Sequence, residues 1–316
     1  MTSRLAIIAL AAASQLALAG PARATLIVGR NPANPTLRVD SAGRALITFR
    51  AGGKPQRVLV WGAVNALPPT RGRTQTAFKI DFSGGYGIGK PGYWRTFKNV
   101  CRPYTGPALA WYVKGSGCTA PDGSYWALQR WQRMLPNLGF RPWKAEQAVY
   151  ELHVSHWRGP LTRIDVHLNW AWSGRFEQIF GRLTYRGRPV HGFRSTSAGV
   201  PLDTWGRNLY LDTYDSPYGR GWARENSFLA QRPRGGFCYS FAPRPPYPGY
   251  PDSSPRMGAG KKYRLTVLGP GVTPAVMWQG PSLGRFRRND PRDAAIEAKA
   301  EQLKKVYALG SAVCHR

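Results

Sequence analysis

Residues 36–50, TLRVDSAGRALITFR, contain two runs of residues typical of strands on either side of a short polar turn. The runs are Thr36–Asp40 and Ala45–Arg50, and the turn contains Gly43, a residue that accepts the left-handed backbone conformation many hairpin turns need. Side chains that alternate with period two are typical of a β-strand with one face in the core. The stretch therefore predicts an antiparallel β-hairpin.

The same alternation, interrupted by Gly and Pro, recurs along most of the chain. Further strands are expected at Arg57–Val64, Ala77–Phe82, Leu109–Val113, Ser124–Gln132, Val149–Trp157, Arg163–Trp172, Arg175–Tyr185, Leu209–Tyr214 and Tyr263–Leu268. Together they predict a mainly β protein, an antiparallel β-sandwich or jelly-roll-like body with long loops. Two separate β domains are the alternative.

Helix signals are concentrated at the C-terminal end, where residues 290–308 predict an α-helix. Asp290 is suited to cap its first turn and Pro291 to occupy its first position, while Lys304 and Lys305 complement the dipole at its end. Residues 136–148 predict a second short helix and a possible subdivision of the chain. Residues 242–255 contain six prolines and predict an extended surface loop.

The first residues have the pattern of a secretory signal, a basic start, an apolar run and a small-residue cleavage motif. We expect residues 1–24 to be removed and residues 25–316 to form one secreted, β-rich domain. No other apolar stretch is long enough to cross a membrane, so no transmembrane segment is expected after processing. The expected location is extracellular or associated with the cell envelope.

The charge is strongly positive: 45 Lys and Arg against 16 Asp and Glu, a net charge of +29. Such a protein attracts polyanions, and outside the cell these are wall polymers and acidic polysaccharides. The alternatives are a surface charge that only favours solubility and a compositional bias toward Arg. No specific nucleic-acid partner is expected because no recognisable module is present. The densest basic cluster is Arg285, Arg287 and Arg288.

The four cysteines favour two disulfides in an oxidising compartment. Cys101–Cys118 would close a short loop and Cys238–Cys314 would attach the C-terminal tail. The other pairings remain possible from the sequence. No CxxC spacing indicates a redox or zinc role, and no cofactor is expected.

Aromatic and amide side chains near acidic residues predict a ligand site in the region around residues 191–225, because aromatic rings stack on sugars and polar groups bind their hydroxyls. The expected ligand-binding residues are Trp205, Asn208, Tyr210, Tyr214 and Trp222. On the strand Leu209–Tyr214, alternation puts the two tyrosines on one face with Asp212. The alternative is a structural role in which the acidic residues form ion pairs with neighbouring arginines.

Two histidines form a second candidate site. If Val149–Trp157 and Arg163–Trp172 pair as a hairpin about Pro160, His153 lies opposite His167 with Glu151 nearby, a set that could bind a metal. Exposed histidines on the polar face of a sheet are the alternative, and no metal is assigned.

The sequence therefore predicts a secreted, envelope-associated protein that binds anionic cell-wall polymers or polysaccharide without catalysis. The alternative is a carbohydrate-active enzyme, a glycoside hydrolase or lyase with paired carboxylates. Whether the protein is an enzyme stays open. The candidate carboxylates are Asp203, Asp212, Asp215 and Glu225.

Overall fold

The computed structural model describes residues 26–62, 64, 66–68, 76–133, 149–190, 207–217, 219–230, 234–242, 259–270, 273–309 and 314. The expected signal at 1–24, the segment 136–148 and nearly all of the proline-rich segment 242–255 lie outside the described residues. So do two candidate site residues, Asp203 and Trp205.

The described chain is mostly antiparallel β-structure, as the alternation predicted. Its strands are β1 Leu26–Arg30, β2 Ala33–Val39, β3 Ala45–Ala51, β4 Lys54–Gly62, β5 Phe78–Asp81, β6 Arg102–Pro103, β7 Tyr112–Thr119, β8 Tyr125–Trp131, β9 Glu151–Trp157, β10 Arg163–Ala171, β11 Phe176–Tyr185, β12 Arg188–Pro189, β13 Leu209–Ser216, β14 Gly219–Phe228, β15 Gly236–Ser240, β16 Lys262–Val267 and β17 Val276–Pro281. The helices are a 3-10 turn at Tyr86–Ile88, α1 at Tyr93–Thr96 and α2 at Pro291–Tyr307.

The first two sheets pack into a sandwich. The first sheet has the order β2-β3-β4-β5 and the second the order β1-β9-β8-β7-β6. Apolar side chains that alternate along the strands meet between them, including Ile47 and Val60 from the first sheet and Trp126, Leu128 and Val154 from the second. The predicted hairpin at residues 36–50 is confirmed, with Val39 opposite Ala45 across the turn.

The other two sheets form a second sandwich. In the third sheet β11 pairs with β10, β12 and β15, and the fourth sheet has the order β14-β13-β16-β17. Ile179 and Phe237 of the third sheet pack in one cluster with Leu209, Leu211 and Leu265 of the fourth. A smaller cluster, in which Trp131 of β8 contacts the fourth sheet, connects the two sandwiches.

The C-terminal helix lies where the sequence predicted it. The Asp290 side chain accepts a hydrogen bond from the backbone N–H of Arg292 at 2.9 Å, and Pro291 is the first helical residue. The helix packs on β10 and β11. Cys238 on β15 is bonded to Cys314 and Cys101 to Cys118 on β7, the two pairs that the spacing favoured. No helix within the described ranges is long and apolar enough to cross a bilayer.

The predicted hairpin between β9 and β10 is wrong. Strand β9 lies in the second sheet, where His153 is opposite Ile27 of β1 and Gln129 of β8. Strand β10 lies in the third sheet, where His167 is opposite Phe180. All residues of β9 are buried, which excludes a polar outer face, and its two edges are paired with β1 and β8, which leaves no edge for β10.

Candidate functional site

The strand β13 presents its polar residues on one face, as the alternation predicts. Leu209 and Leu211 lie in the core between the third and fourth sheets. Tyr210 lies on the other face, where its buried ring contacts Trp131 edge to face at 5.2 Å. Because Tyr210 is fully buried, its ring is not a surface on which a ligand can stack.

Asp212 is the centre of this face and is held by two arginines. It lies opposite Arg224 of β14 and Arg264 of β16, so the register itself brings both guanidinium groups to the carboxylate. Arg264 donates to Oδ2 through Nε at 3.0 Å and Nη2 at 2.8 Å, and Arg224 donates to Oδ1. The Asp212 side chain is only 4% exposed. It is therefore a buried anchor that orients two cations.

Arg264 also lies between two indole rings. Its guanidinium carbon is 4.4 Å from the ring centroid of Trp111 and 4.2 Å from that of Trp222. Trp222 in turn packs on Tyr214, with 5.1 Å between centroids. The three rings are half-buried, and the Arg264 side chain is 14% exposed. We call this row, Tyr214–Trp222–Arg264–Trp111, the Arg–aromatic row; it offers flat rings beside fixed positive charge.

An open cleft continues from the row at the β13–β14 turn. Its volume is about 580 Å³, and we call it the hairpin cleft. Its lining residues are Tyr214, Asp215, Ser216, Gly219, Arg220, Gly221 and Lys261. Asp215 accepts a hydrogen bond from the Gly221 backbone N–H at 2.9 Å and from Lys261 at 3.1 Å, and these contacts lower the pKa of its carboxyl group. The cleft is positive because Arg220 and Lys261 line it against the single carboxylate of Asp215, and the exposed Lys262 lies beside Tyr214.

Two other predicted site residues have structural partners in the fold. Asn208 is fully buried and its Oδ1 accepts the backbone N–H of Ala230 at 2.9 Å. Glu225 is fully buried and accepts a hydrogen bond from the Tyr239 hydroxyl, on the core side of the fourth sheet. Asp212 and Glu225 thus lie on opposite faces of the sheet, and the structure does not bring these two carboxylates together.

The basic cluster after β17 is divided by its contacts. Arg287 bonds Asp290 at 2.8 Å and Asp293 at 3.2 Å, so it belongs to the start of α2. Arg285 and Arg288 are exposed. Among the described residues, Arg285 and Arg288 are the members of this cluster with no ion pair, and they remain the candidates for contact with a partner.

The two candidate histidines are separated. His153 is fully buried beside Glu151 and Arg133, and burial and the Arg133 charge lower its pKa to about 4. His167 contacts the Tyr307 hydroxyl of α2 at 3.2 Å. Within the described part of the chain, no group of three or more His, Cys, Asp or Glu side chains could hold a metal ion.

Sequence reasoning missed Trp111 and Arg264, the inner half of the Arg–aromatic row. Trp111 precedes β7 and is distant in sequence from β16, and its φ of 59° is in the left-handed region. Alternation could assign Arg264 to the face opposite Leu265, but nothing local predicts which strand lies beside it.

A scan against protein-family models and searches of curated proteins and of solved structures each found no match to this chain.

Proposed function

We propose that this is a secreted, envelope-associated protein that binds anionic cell-wall polymers or acidic polysaccharide through the Arg–aromatic row and the hairpin cleft. The observation that carries the proposal is the guanidinium of Arg264, fixed between two indoles beside an open, positive cleft. Two disulfides support an extracellular location, because disulfides persist in oxidising compartments.

The charges of this region favour an anionic ligand. Five cations, Arg220, Arg224, Lys261, Lys262 and Arg264, accompany the two carboxylates Asp212 and Asp215. This local excess of positive charge attracts an anionic ligand at short range, and the net charge of +29 of the whole chain attracts it at long range. Because Asp212 holds Arg264 in place, little side-chain entropy is lost when an anion binds.

The half-buried rings would supply the part of the affinity that salt does not screen. Tyr214 and Trp222 are large, amphipathic surfaces, and aromatic side chains of this kind are enriched in binding interfaces. We assign no catalytic step here. Asp212 is occupied by two guanidinium groups, and Glu225 lies on the core side.

The test is co-sedimentation of the oxidised protein with purified cell walls at about 0.15 M and then about 1 M NaCl, where the Debye length falls from about 8 Å to about 3 Å. The triple variant Arg220→Gln, Lys261→Gln and Lys262→Gln should bind roughly 100-fold more weakly at low salt. Each cation near an anionic surface contributes about 1 kcal/mol. Its binding should also depend less on salt.

The matched control is Lys54→Gln, Lys79→Gln and Lys98→Gln, which removes the same charge from exposed positions around the first sheet. It should change binding only slightly. Equal losses in the two triple variants would mean that net charge alone attracts the walls. A larger loss in Arg285→Gln with Arg288→Gln would assign the contact to the cluster before α2. Either result, or no binding at low salt, would contradict the proposal.

A further inference from the structure

A second cleft lies on the other sandwich, between two turns of similar construction. Its volume is about 500 Å³, within the roughly 300–1,000 Å³ usual for small-molecule sites. One wall is the β2–β3 turn with Asp40, and the other is the β7–β8 turn with Asp122. Trp61, Trp126 and His156 also line it, so the cleft combines aromatic rings with a few polar groups.

Two side chains that line this cleft each carry a buried ring nitrogen with no hydrogen-bond partner in the described part of the chain. The nitrogens are Nε1 of Trp126 and Nδ1 of His156, whose side chains are 0% and 3% exposed. The two rings stack at 3.7 Å between centroids. A buried polar atom without a partner destabilises the fold, so a bound group that satisfies both nitrogens would recover that lost free energy.

The hydrogen-bond chain beside His156 determines what each nitrogen can accept. Ser124 Oγ lies 2.6 Å from Asp122 Oδ1 and 2.9 Å from His156 Nε2. A carboxylate only accepts, so the Ser124 hydroxyl donates its single proton to Asp122. His156 Nε2 must then carry the proton that it donates to Ser124. In the neutral ring this leaves Nδ1 as an acceptor, beside the Trp126 N–H, which is a donor.

The charges at the cleft cancel. Asp40 is paired with Arg44 at 2.8 Å, and Asp122 with Arg158 at 3.1 Å. Tyr93 also donates to Asp40 at 2.6 Å. The two carboxylates that line the cleft are therefore each neutralised by an arginine, so neither attracts a cation strongly, and an anion would meet the two carboxylates and the Nδ1 lone pair. The cleft therefore favours a neutral ligand in a strongly basic protein.

We propose that this cleft binds a neutral saccharide unit, with one hydroxyl donating to His156 Nδ1 and accepting from Trp126 Nε1. A hydroxyl is the group that is both donor and acceptor at one atom. The half-buried ring of Trp61 would contact the apolar face of the sugar. The site does not depend on the polyanion proposal, because its residues lie in the first and second sheets and their turns.

The same geometry argues against a serine nucleophile here. In a catalytic triad the histidine takes the serine proton, and the carboxylate orients the histidine. In this cleft the carboxylate holds the serine proton itself. Burial lowers the pKa of His156 to about 3, with the Asp122 charge opposing that shift, so the imidazole is a weak base at neutral pH.

Calorimetric titration of the oxidised protein with three neutral trisaccharides, cellotriose, maltotriose and triacetylchitotriose, tests the inference at about 1 M NaCl, where charge is screened. At least one should bind with unit stoichiometry. His156→Phe keeps a ring on Trp126 but removes the acceptor, and Ala42→Trp fills the mouth of the cleft from an exposed turn position. Each should weaken binding roughly tenfold or more.

His167→Phe is the matched control, since His167 lies outside the cleft and already contacts aromatic rings. It and the hairpin-cleft triple variant should bind the sugar normally. Imidazole ¹⁵N spectra should give the Nε2–H tautomer of His156 and a shift of Nδ1 on saturation. If His156→Phe misfolds, Ala42→Trp still decides.

Three results would overturn the inference. The first is that none of the three sugars binds. The second is that binding persists in Ala42→Trp but is lost in the hairpin-cleft triple variant. The third is an Nδ1 signal that does not move, which would mean that water alone is its partner.

Discussion

At the scale of single residues, Asp212 shows how one carboxylate can organise a surface. It accepts hydrogen bonds from two guanidinium groups while its side chain is 4% exposed. The guanidinium carbons of both arginines also lie over aromatic rings, Arg224 over Tyr210 and Arg264 over the two indoles. Without the carboxylate, two mostly buried guanidinium groups would lie side by side with no negative charge between them.

We therefore expect Asp212→Asn to lower the free energy of unfolding by about 3 kcal/mol, the cost of removing one partner of a buried ion pair. Urea denaturation monitored by tryptophan fluorescence measures it. Asp215→Asn is the control and should leave the midpoint nearly unchanged, because its partner Lys261 is 74% exposed and solvent screens the pair. Equal effects of the two variants would contradict the anchoring role of Asp212.

At the scale of elements, local sequence patterns predicted a strand or helix correctly where its apolar side chains fall regularly on one face. Alternation located β3, β11 and β13, and the cap and charge signals located α2. The strand predicted at Leu109–Val113 is misplaced: β7 is Tyr112–Thr119, and Trp111, with a φ of 59°, is not extended. Strand β14 was missed, since Gly219–Phe228 is mostly polar and half-buried.

The start of α2 permits a prediction at this scale. Asp290→Ala removes the cap on the Arg292 N–H and the ion pair with Arg287, and should cost about 1 kcal/mol. Hydrogen exchange of the first-turn amides should accelerate by several-fold, while those of β11 should not change. Lys305→Gln, which changes an exposed side chain in the last turn of the same helix, is the control. Unchanged first-turn exchange in Asp290→Ala would contradict the capping role.

At the scale of the whole molecule, two sandwiches enclose polar groups as well as apolar ones. His153 and His156 on β9 are both buried, and burial is the main cause that lowers their pKa values, to about 4 and about 3. In the unfolded chain a histidine has a pKa near 6.5. Between these values the unfolded state binds protons that the folded state does not.

The contribution of these two histidines to the free energy of unfolding should therefore be fully present above about pH 6.5. It should be lost progressively as the pH falls toward their pKa values in the folded state. Each histidine contributes a slope of up to about 1.4 kcal/mol per pH unit. Burial raises the pKa of Glu177, so the folded state binds this proton more tightly than the unfolded state does. Glu177 therefore has the opposite effect on stability and offsets part of the loss in the pH range where it titrates. Urea midpoints from about pH 4.5 to pH 8 test it, and His156→Phe should flatten the slope. A midpoint that rises on acidification would contradict it.

The sequence by itself determined the properties that depend on near neighbours: the β character of the chain, the hairpin at residues 36–50, the helix at the C-terminal end, and the shared face of Tyr210, Asp212 and Tyr214. These follow from side-chain period and cap chemistry, which act over a few residues. The preference for Cys101–Cys118 and Cys238–Cys314 also came from spacing alone.

Only the tertiary structure decided which strands are neighbours. Period two is the same whatever strand lies alongside, so β9 and β10 were compatible with a hairpin, whereas in the structure β1 and β8 occupy the two edges of β9. For the same reason the sequence could not predict the contacts of Arg264 with Trp111 and Trp222. Nor could it predict that Trp126 and His156 line one cleft with the Asp40 turn. These contacts join residues far apart in sequence, and cooperative burial of the whole core selects them.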